Sequence, residues 1–353
     1  MKKITFFIGS LEEGGAERVV SHLTSYFADK GHEILLVVYH NRETFYQIDP
    51  RVQVVSVCKE TQSTRIVCNL RWLRRFFKEN SSVVISFLAG FNMLALLATI
   101  GVKIPVLVAD RNDPRFVPRK FFVRKMRDFL YRFADGIIIQ TEHNKQYFSK
   151  AVQKKSIIIY NPIDLGTRSG EALRTPKENK IVSVSRLMPQ KRQTMLIRAF
   201  AGIHEEFPEF SLTIFGEGSA RCELQTLIDS LSLQDCVFLP GSEKNVFDKI
   251  CSAKLFVLSS DYEGMPNALA EAMCLGLPCI STAVSGATDM IKNNENGILV
   301  DIAETKQLEE AMRNLLKDQS LSEKIANNAV ELNNLLDKTV IAEQWHTYVL
   351  SFI

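Results

Sequence analysis

The sequence predicts an α/β protein with two doubly wound parallel-sheet domains. Short, β-branched apolar segments alternate with amphipathic helix-like segments, and this pattern is typical of parallel sheets that helices cover on both faces. The alternation stops at Asn161-Pro162 and begins again after a polar, glycine-containing stretch. The 353 residues are enough for two domains of ordinary size.

The first half of the chain carries the strands of a predicted N-terminal domain, residues 1–165. They are expected at Ile4–Ile8, Ile34–Tyr39, Val52–Val57, Val83–Phe87, Val106–Ala109, Gly136–Gln140 and Ile157–Tyr160. Helices such as Ala16–Ala28 and Arg119–Phe133 are expected between them. The uncharged segment Ser81–Val102 is long enough to span a bilayer, but polar residues and a glycine interrupt it. We therefore expect a buried strand and a buried helix there.

The second half is predicted to hold a similar domain, residues 166–338, after a linker at Leu165–Lys180. Its strands are expected at Ile181–Ser185, Ser211–Phe215, Val237–Leu239, Leu255–Leu258 and Pro278–Ser281. The tail is expected to form helices at Thr305–Lys317, Leu321–Leu336 and Thr339–Phe352. The last helix, within residues 339–353, is expected to pack back on the N-terminal domain.

Cysteine and histidine usage argues against a disulfide framework and against a structural zinc site. The seven cysteines are scattered, none forms a C-x-x-C pair, and histidines are few. This usage fits a reducing cytoplasm. The N-terminal MKKITFF segment has too short an apolar run for a signal peptide, so we expect it to be the first strand.

The net charge of +3 is unevenly distributed. Residues 1–165 contain 25 Lys and Arg against 15 Asp and Glu, whereas residues 166–353 contain 18 against 25. A basic half next to an acidic half predicts different partners for the two domains. Because no recognition motif accompanies the basic charge, we do not expect nucleic acid to be a partner.

Glycine and cationic residues are concentrated in segments that follow predicted strands. In doubly wound sheets, these segments lie at the edge where ligands bind. The first, Gly9–Arg18, leads from a strand into a helix, and glycines such as Gly15 let an anion approach the helix N-terminus. Its spacing is not that of a dinucleotide-binding fingerprint. A plain glycine turn is the alternative interpretation.

Two further segments of this kind lie in the second half. Arg186 ends a predicted strand and Lys191 begins the next helix, so these cations could neutralise a diphosphate without a metal. Solvated surface cations are the alternative. Gly216 lies in the segment Phe215–Gly218, which again follows a strand, although a single G-x-G is a weak signal.

The segment Ser260–Met273 is the most specific signal in the sequence. A proline in its middle fits the first turn of a helix, so the free N–H groups of that turn can bind a phosphate or sugar hydroxyls. These residues are Gly264, Met265, Pro266 and Asn267. Glu263 precedes the helix and Glu271 lies inside it, and a carboxylate can accept from two neighbouring hydroxyls. Solvated helix charges are the alternative, but the surrounding residues are mostly apolar.

Together, the segments GGAER, SRLMPQK, FGEG and EGMPNALAEAMCLGLPCIST resemble the family-four retaining glycosyltransferases of the GT-B fold, in which two Rossmann-like domains face a cleft. The resemblance covers essentially the whole chain. It implies that Arg186 and Lys191 bind the diphosphate of a nucleotide-sugar donor, and that Glu271 binds the ribose. It further implies that Glu263 and the Gly264–Asn267 backbone bind the donor sugar.

The same resemblance implies that Gly15 contacts the phosphate from the other domain and that Gly241–Val246 holds the base. It implies no metal and no other cofactor. One departure concerns the segment Thr282–Ala287, which lacks the double glycine of many members. This departure puts the donor contacts of that segment in question.

The ADRNDP segment resembles bacterial enzymes that build lipid-linked O-antigen, capsule or glycoprotein glycans. Asp110 and Arg111 follow a strand there and are candidate acceptor-side residues, although a capped turn is the alternative. His143 also follows a strand and is a third candidate, although a lone histidine is more often structural.

Two basic segments predict contact with an anionic membrane surface. Pro114–Phe133 combines seven Lys and Arg with six aromatic residues, and Leu70–Lys78 is similar. Such segments can lie on a bilayer as amphipathic helices. An ordinary amphipathic helix with a solvated basic face is the alternative. We expect a cytoplasmic protein that is peripheral on the inner face of the cytoplasmic membrane.

The sequence thus predicts an enzyme that transfers a hexosyl or N-acetylhexosaminyl group from a nucleoside diphosphate sugar, most readily a UDP-sugar. The expected acceptor is a sugar on polyprenyl diphosphate. Two alternatives stay open at this point: a nucleotide-sugar 2-epimerase of the same architecture, and a non-catalytic binder of anionic lipids or glycans. The pair Glu263 and Glu271 favours an enzyme over a binder.

Overall fold

The computed structural model describes residues 2–12, 14–63 and 65–353. The chain forms two compact units. Unit 1 comprises the chain up to Pro162 together with Lys338–Ile353, and unit 2 comprises Ile163–Asp337. The boundaries lie three residues before the first expected boundary and one residue before the second.

Strands and helices alternate along unit 1. The strands are β1 (Lys3–Ile8), β2 (Glu33–Val38), β3 (Gln53–Ser56), β4 (Val83–Phe87), β5 (Val106–Asp110), β6 (Gly136–Ile139) and β7 (Ser156–Ile158). The helices are α1 (Gly15–Asp29), α2 (Val57–Thr61), α3 (Ile66–Asn80), α4 (Ala89–Ala98), α5 (Phe121–Leu130), α6 (Glu142–Tyr147) and α7 (Lys150–Gln153).

The same alternation continues in unit 2. Its strands are β8 (Glu178–Val184), β9 (Ser211–Phe215), β10 (Val237–Gly241), β11 (Ala253–Leu258), β12 (Cys279–Thr282) and β13 (Ile298–Val300). Its helices are α8 (Glu171–Arg174), α9 (Gln193–His204), α10 (Arg221–Ser230), α11 (Val246–Ile250), α12 (Asn267–Leu275), α13 (Ser285–Met290), α14 (Thr305–Lys317), α15 (Gln319–Ala329) and α16 (Leu332–Leu336). The final helix, α17 (Lys338–Leu350), belongs to unit 1.

Each unit is built on a sheet whose described strand pairs are all parallel. The order is β3-β2-β1-β4-β5-β6-β7 in unit 1 and β10-β9-β8-β11-β12-β13 in unit 2. The predicted class of two doubly wound domains is therefore confirmed. The strand order reverses between β1 and β4 and between β8 and β11, and ligands bind at such switch points.

Burial on both faces explains why the strands are continuous apolar runs. Successive side chains of a strand point to opposite faces, so Phe6 packs on Phe27 with ring centroids 5.5 Å apart, while Phe7 packs on Phe77 at 5.8 Å. Each such burial stabilises the fold by about 1.5–3 kcal/mol. Helix α17 completes one face of unit 1, because its fully buried Trp345 stacks on Phe87 with centroids 5.4 Å apart.

Three details differ from the sequence expectations. The expected linker Leu165–Lys180 is folded into unit 2: Ala172 of α8 is fully buried, and the Gly170 amide donates to the Cys274 carbonyl at 3.1 Å. The helix expected at Leu321–Leu336 is divided into α15 and α16. Strand β13 was not expected, because three residues are too few for a periodic pattern.

Candidate functional site

Two loops of unit 2 flank its switch point and are bonded to each other. One follows β8 and contains Lys191, and the other follows β11. The Asp261 amide donates to the Gln190 carbonyl at 2.8 Å, and the Ser259 hydroxyl donates to the Lys191 carbonyl at 2.9 Å. The topology and these bonds therefore bring together two segments that lie about 70 residues apart in sequence.

The central contact between these loops is an ion pair between Lys191 and Glu263. Their side chains are only 13% and 11% exposed, and the Ser260 hydroxyl donates to the same Glu263 oxygen at 2.7 Å. The Lys191 ammonium and the Ser260 hydroxyl therefore both hold the Glu263 carboxylate in place, and Glu263 in turn holds Lys191. The Arg186 side chain is exposed, while its carbonyl accepts from Gln193 at 2.8 Å.

The turn Gly264–Asn267 leads into helix α12, which has nine residues. Pro266 is its N-cap, so the first N–H groups of the helix have no intrahelical acceptor. The start of α13 packs directly on this turn, because a Cβ at Gly286 would lie 2.7 Å from the Met265 Cα. Glu271 lies inside α12 and is 8% exposed. Gly276, with φ +88°, ends the helix.

The glycine-rich loop after β9 supports the Arg186 loop from one side. Gly216 has φ +133°, and a Cβ there would lie 2.0 Å from the Ser185 carbonyl oxygen. The Leu187 amide also donates to the Glu217 carbonyl at 2.9 Å. Close backbone packing therefore requires Gly216 here, and a ligand contact by this residue stays a prediction.

In unit 1, the N-terminus of α1 lies at the carboxyl end of β1. Gly15 is its first residue. The Tyr46 hydroxyl donates to the Gly14 carbonyl at 2.9 Å and accepts from the Gly14 amide at 3.3 Å, which orders the turn before the helix. Gly15 is thus placed at a helix N-terminus, as a phosphate contact requires.

The predicted acceptor-side residue Asp110 is tied into the fold of unit 1. It is 2% exposed, it accepts from the Tyr131 hydroxyl at 3.1 Å, and it lies 3.9 Å from the fully buried Arg127. Burial raises the pKa of Asp110, while Arg127 and Tyr131 act in the opposite direction. Arg127 also donates to the carbonyls of Val117 and Pro114 at 2.5 and 2.9 Å.

Arg111 and His143 have contrasting environments. Arg111 is 7% exposed, and its guanidinium lies over the rings of Phe87 and Trp345, 5.8 and 5.5 Å from their centroids. None of its three side-chain nitrogens has a hydrogen-bond partner among the described residues, and burial lowers the pKa of Arg111 to about 9. His143 lies exposed on α6, and its carbonyl accepts from Arg115 at 3.0 Å.

The residues that connect the two unit 2 loops have no role predicted from the sequence. Ser259 and Gln190 make these connections, together with an ion pair between Arg192 and Asp261. A polar pair directly after an apolar strand, Ser259-Ser260, is the available sequence signal. It does not specify a partner about 70 residues away.

The two predicted basic segments differ in the structure. In α3, Leu73 and Phe77 are fully buried and Trp72 stacks on Phe76 at 4.7 Å. In and after α5, five large apolar side chains are exposed: Phe121, Phe122, Met126, Phe129 and Phe133, at 56%, 84%, 46%, 55% and 63%. We call these five residues the α5 apolar surface. Lys120 and Lys125 are exposed beside it.

Within the described residues, no helix has the length and apolarity needed to cross a membrane. The same residues contain no cluster of three His, Cys, Asp or Glu side chains arranged to hold a metal ion. The buried segment between Ser81 and Val102 is the strand and helix expected from the sequence, β4 and α4.

Two protein-family models match the chain, one for each half. Residues 13–167 match the model described as Glycosyltransferase Family 4, and residues 168–332 match the model described as Glycosyl transferases group 1. The two matches meet within five residues of the boundary between the structural units.

Curated relatives and solved structures resemble the chain along its length. It is 29% identical to the GalNAc-alpha-(1->4)-GalNAc-alpha-(1->3)-diNAcBac-PP-undecaprenol alpha-1,4-N-acetyl-D-galactosaminyltransferase of Campylobacter jejuni, covering 98% of this chain and 97% of that protein. It is 24% identical to the amylovoran biosynthesis glycosyltransferase AmsD of Erwinia amylovora, covering 98% and 99%. Anabaena HepE in complex with UDP superposes with TM-score 0.83 at 19% identity, covering 99% and 100%. The GT-B fold expected from the sequence is thereby confirmed.

Proposed function

Because the chain belongs to the family-four glycosyltransferases, we propose that it transfers a hexosyl or N-acetylhexosaminyl group from a UDP-sugar to a lipid-linked glycan. The acceptor in this proposal is a sugar on polyprenyl diphosphate, and the anomeric configuration is retained. The product serves bacterial surface polysaccharide or glycan assembly. Two relatives whose names contain an undecaprenyl-diphosphate acceptor support the acceptor class, and the amylovoran biosynthesis glycosyltransferase supports the role in polysaccharide assembly.

The observation that carries the proposal is the cationic, amide-rich edge of the unit 2 sheet. Lys191 is held there by Glu263, Arg186 is exposed on the same loop, and the N-terminus of α12 follows the second loop. Donor cleavage places negative charge on the departing diphosphate, and prepositioned cations and amide N–H groups stabilise that charge in the transition state. These groups can do so without a metal ion.

The two glutamates have separate roles in this proposal. Glu263 holds the Lys191 ammonium and meets the donor sugar next to it. Glu271 lies about one turn into α12 and binds the nucleotide ribose. A carboxylate is suited to both tasks, because it accepts hydrogen bonds from ammonium and hydroxyl groups alike. Retention of the anomeric configuration is supported by the family resemblance and not by any pair of residues.

Product analysis tests this function. The protein is incubated with a panel of nucleotide sugars and polyprenyl-diphosphate-linked acceptors, and the product is identified by mass spectrometry and NMR. We expect an elongated glycan with an α linkage when the donor is α-linked. Conversion of the donor in the absence of an acceptor would instead indicate an epimerase, and the absence of any donor turnover would indicate a binding protein.

We further propose that unit 1 docks on the inner face of the cytoplasmic membrane through the α5 apolar surface. Exposed aromatic side chains can enter the boundary between headgroups and acyl chains, while Lys120 and Lys125 meet anionic headgroups. Each basic residue near the surface contributes about 1 kcal/mol. Helix α3 is less suited, because its aromatic side chains are buried or half-buried and its exposed large apolar side chains are the aliphatic Ile66 and Val67 of its first turn.

Vesicle binding with matched variants tests this docking. The α5 variant replaces Arg119, Lys120 and Lys125 with Ser, and the control replaces Arg71, Arg75 and Lys78 of α3 with Ser, which removes the same charge. We expect binding to vesicles with anionic lipid, weakened by high salt, and lost in the α5 variant and in Phe122→Ser. Equal losses in the α3 and α5 charge variants, with none in Phe122→Ser, would contradict docking through α5.

A further inference from the structure

Unit 1 contains a cavity at the carboxyl ends of β2 and β3, to one side of its switch point. Its volume is about 300 Å³. Its apolar lining includes Leu11, Val38 and Val55, and its polar lining includes His40, Lys59 and Glu60. Polar residues make up most of the lining, and a volume of this size is at the lower end of the range for small-molecule sites.

A buried hydroxyl without a partner lines this cavity. Ser56 is 8% exposed, and its Oγ has no hydrogen-bond partner among the described residues. A buried hydroxyl that lacks a partner destabilises the protein. A ligand hydroxyl in the cavity would supply the missing hydrogen bond.

The wall of the cavity is bonded to the loop that precedes α1. The His40 amide donates to the Gly9 carbonyl at 2.8 Å, and the Phe45 amide donates to the Leu11 carbonyl at 2.8 Å. Arg42 donates to Glu12 at 2.7 Å. These contacts fix the position of the cavity relative to the loop that precedes α1 at the switch point. A ligand that occupies both the cavity and the switch point must therefore extend from one to the other.

We propose that this cavity binds the second sugar of the acceptor glycan, the one next to the sugar that receives the transferred group. The inference rests on the proposed function. Neighbouring strands lie about 5 Å apart, so the ends of β2 and β3 lie about 5 and 10 Å from β1. A glycan whose terminal sugar lies at the switch point can reach this distance with its second residue.

The chemistry of the lining favours a neutral, hydroxyl-rich ligand. Lys59 and Glu60 carry opposite charges, and Arg42 is already paired with Glu12. A phosphate in the cavity would therefore meet carboxylates as well as cations. A sugar presents an apolar C–H face to Leu11, Val38 and Val55, and its hydroxyls can both donate to Glu60 and accept from Lys59.

Acceptor-length kinetics test the inference. The double variant Lys59→Ala/Glu60→Ala removes two exposed residues of the lining, and Glu323→Ala/Lys324→Ala, an exposed pair on α15, is the matched control. Acceptors carry one, two or three N-acetylhexosamine residues on polyprenyl diphosphate. We expect KM for the two longer acceptors to rise about tenfold in the first variant. KM for the one-sugar acceptor and for the donor should stay unchanged, as should every constant in the control.

Equal changes for all acceptor lengths, or no change, would overturn the inference. If the wild-type protein transfers to none of the acceptors, the proposed function fails, and amide NMR shifts test the cavity separately with a free N-acetylhexosamine disaccharide. Shifts at Ser56 and its neighbours that disappear in the variant would support a sugar site in the cavity. The absence of such shifts in the wild-type protein would contradict it.

Discussion

The carboxyl-terminal edges of the two sheets hold their charged residues in different ways. In unit 2, Lys191 and Glu263 pair near the surface, at 13% and 11% exposure, with Arg186 exposed on the same loop. In unit 1, Asp110 and Arg127 are sealed at 2% and 0%. Asp110, Lys191 and Glu263 all lie at or after the carboxyl ends of parallel strands, and for this reason the sequence analysis assigned each of them to a ligand site. The position of a residue at a strand end therefore predicts a candidate ligand contact, and its burial decides whether a ligand can reach it.

The largest expected effect separates activity from stability at the unit 2 edge. Lys191→Ala should lower kcat about 10³-fold, because it removes a positioned cation from the departing diphosphate. Arg186→Ala should act in the same direction. Thermal stability should fall less than on removal of Arg127, since Glu263 keeps 11% exposure and the Ser260 hydroxyl as a partner when the Lys191 cation is lost. Steady-state kinetics and a melting curve for each variant check this.

Metal removal is the control for that prediction. Treatment with EDTA should leave wild-type transfer unchanged, because Lys191, Arg186 and the α12 N-terminus supply the positive charge. A strict requirement for a divalent ion would contradict the proposal that these groups alone stabilise the diphosphate.

The reverse pattern is expected at the unit 1 edge. Arg127→Met should destabilise the fold by about 3–5 kcal/mol, since it leaves Asp110 buried without its cation. The double variant Arg127→Met/Asp110→Asn should recover part of this loss, because it removes the uncompensated charge. Denaturant unfolding measures both values, and equal stability of the single and double variants would argue against the pairing.

The two glutamates of unit 2 should separate binding from turnover. Glu271→Gln should weaken UDP and donor binding together by about tenfold, the effect of one lost charge-assisted hydrogen bond. Glu263→Gln should lower kcat while UDP binds as well as before or better, because the Lys191 charge is then no longer shared with a carboxylate. Calorimetric titration with UDP distinguishes the two, and matching losses of UDP affinity would contradict the division.

The smallest expected effect concerns Arg111, where a single variant can distinguish a structural role from a role in acceptor binding. Its guanidinium is buried without a hydrogen-bond partner among the described residues, so Arg111→Met should stabilise unit 1 by about 1 kcal/mol or more. If Arg111 also binds the acceptor, KM for the acceptor should rise in the same variant while KM for the donor stays constant. A destabilised variant with unaltered kinetics would show that Arg111 is purely structural.

Much of the fold could be read from periodicity. The strand β4 has the predicted bounds Val83–Phe87, and α14 has the predicted bounds Thr305–Lys317, because fully buried strands and strongly amphipathic helices leave a pattern in the sequence itself. The stretch before β8 leaves no such pattern. It is polar and contains glycine, yet α8 packs there through the single buried side chain of Ala172.

The two-domain α/β architecture and the loops that carry Lys191, Glu263 and the α12 N-terminus can be predicted from the sequence alone, because strand exits and helix starts are local features. Tertiary packing alone pairs Lys191 with Glu263 and buries Asp110 against Tyr131 and Arg127. It also exposes the aromatic residues of α5 while it buries Phe77 of α3. Each of these outcomes depends on contacts between residues distant in sequence. Composition and spacing record which side chains are present, whereas burial and partnership arise only when the sheets and helices pack.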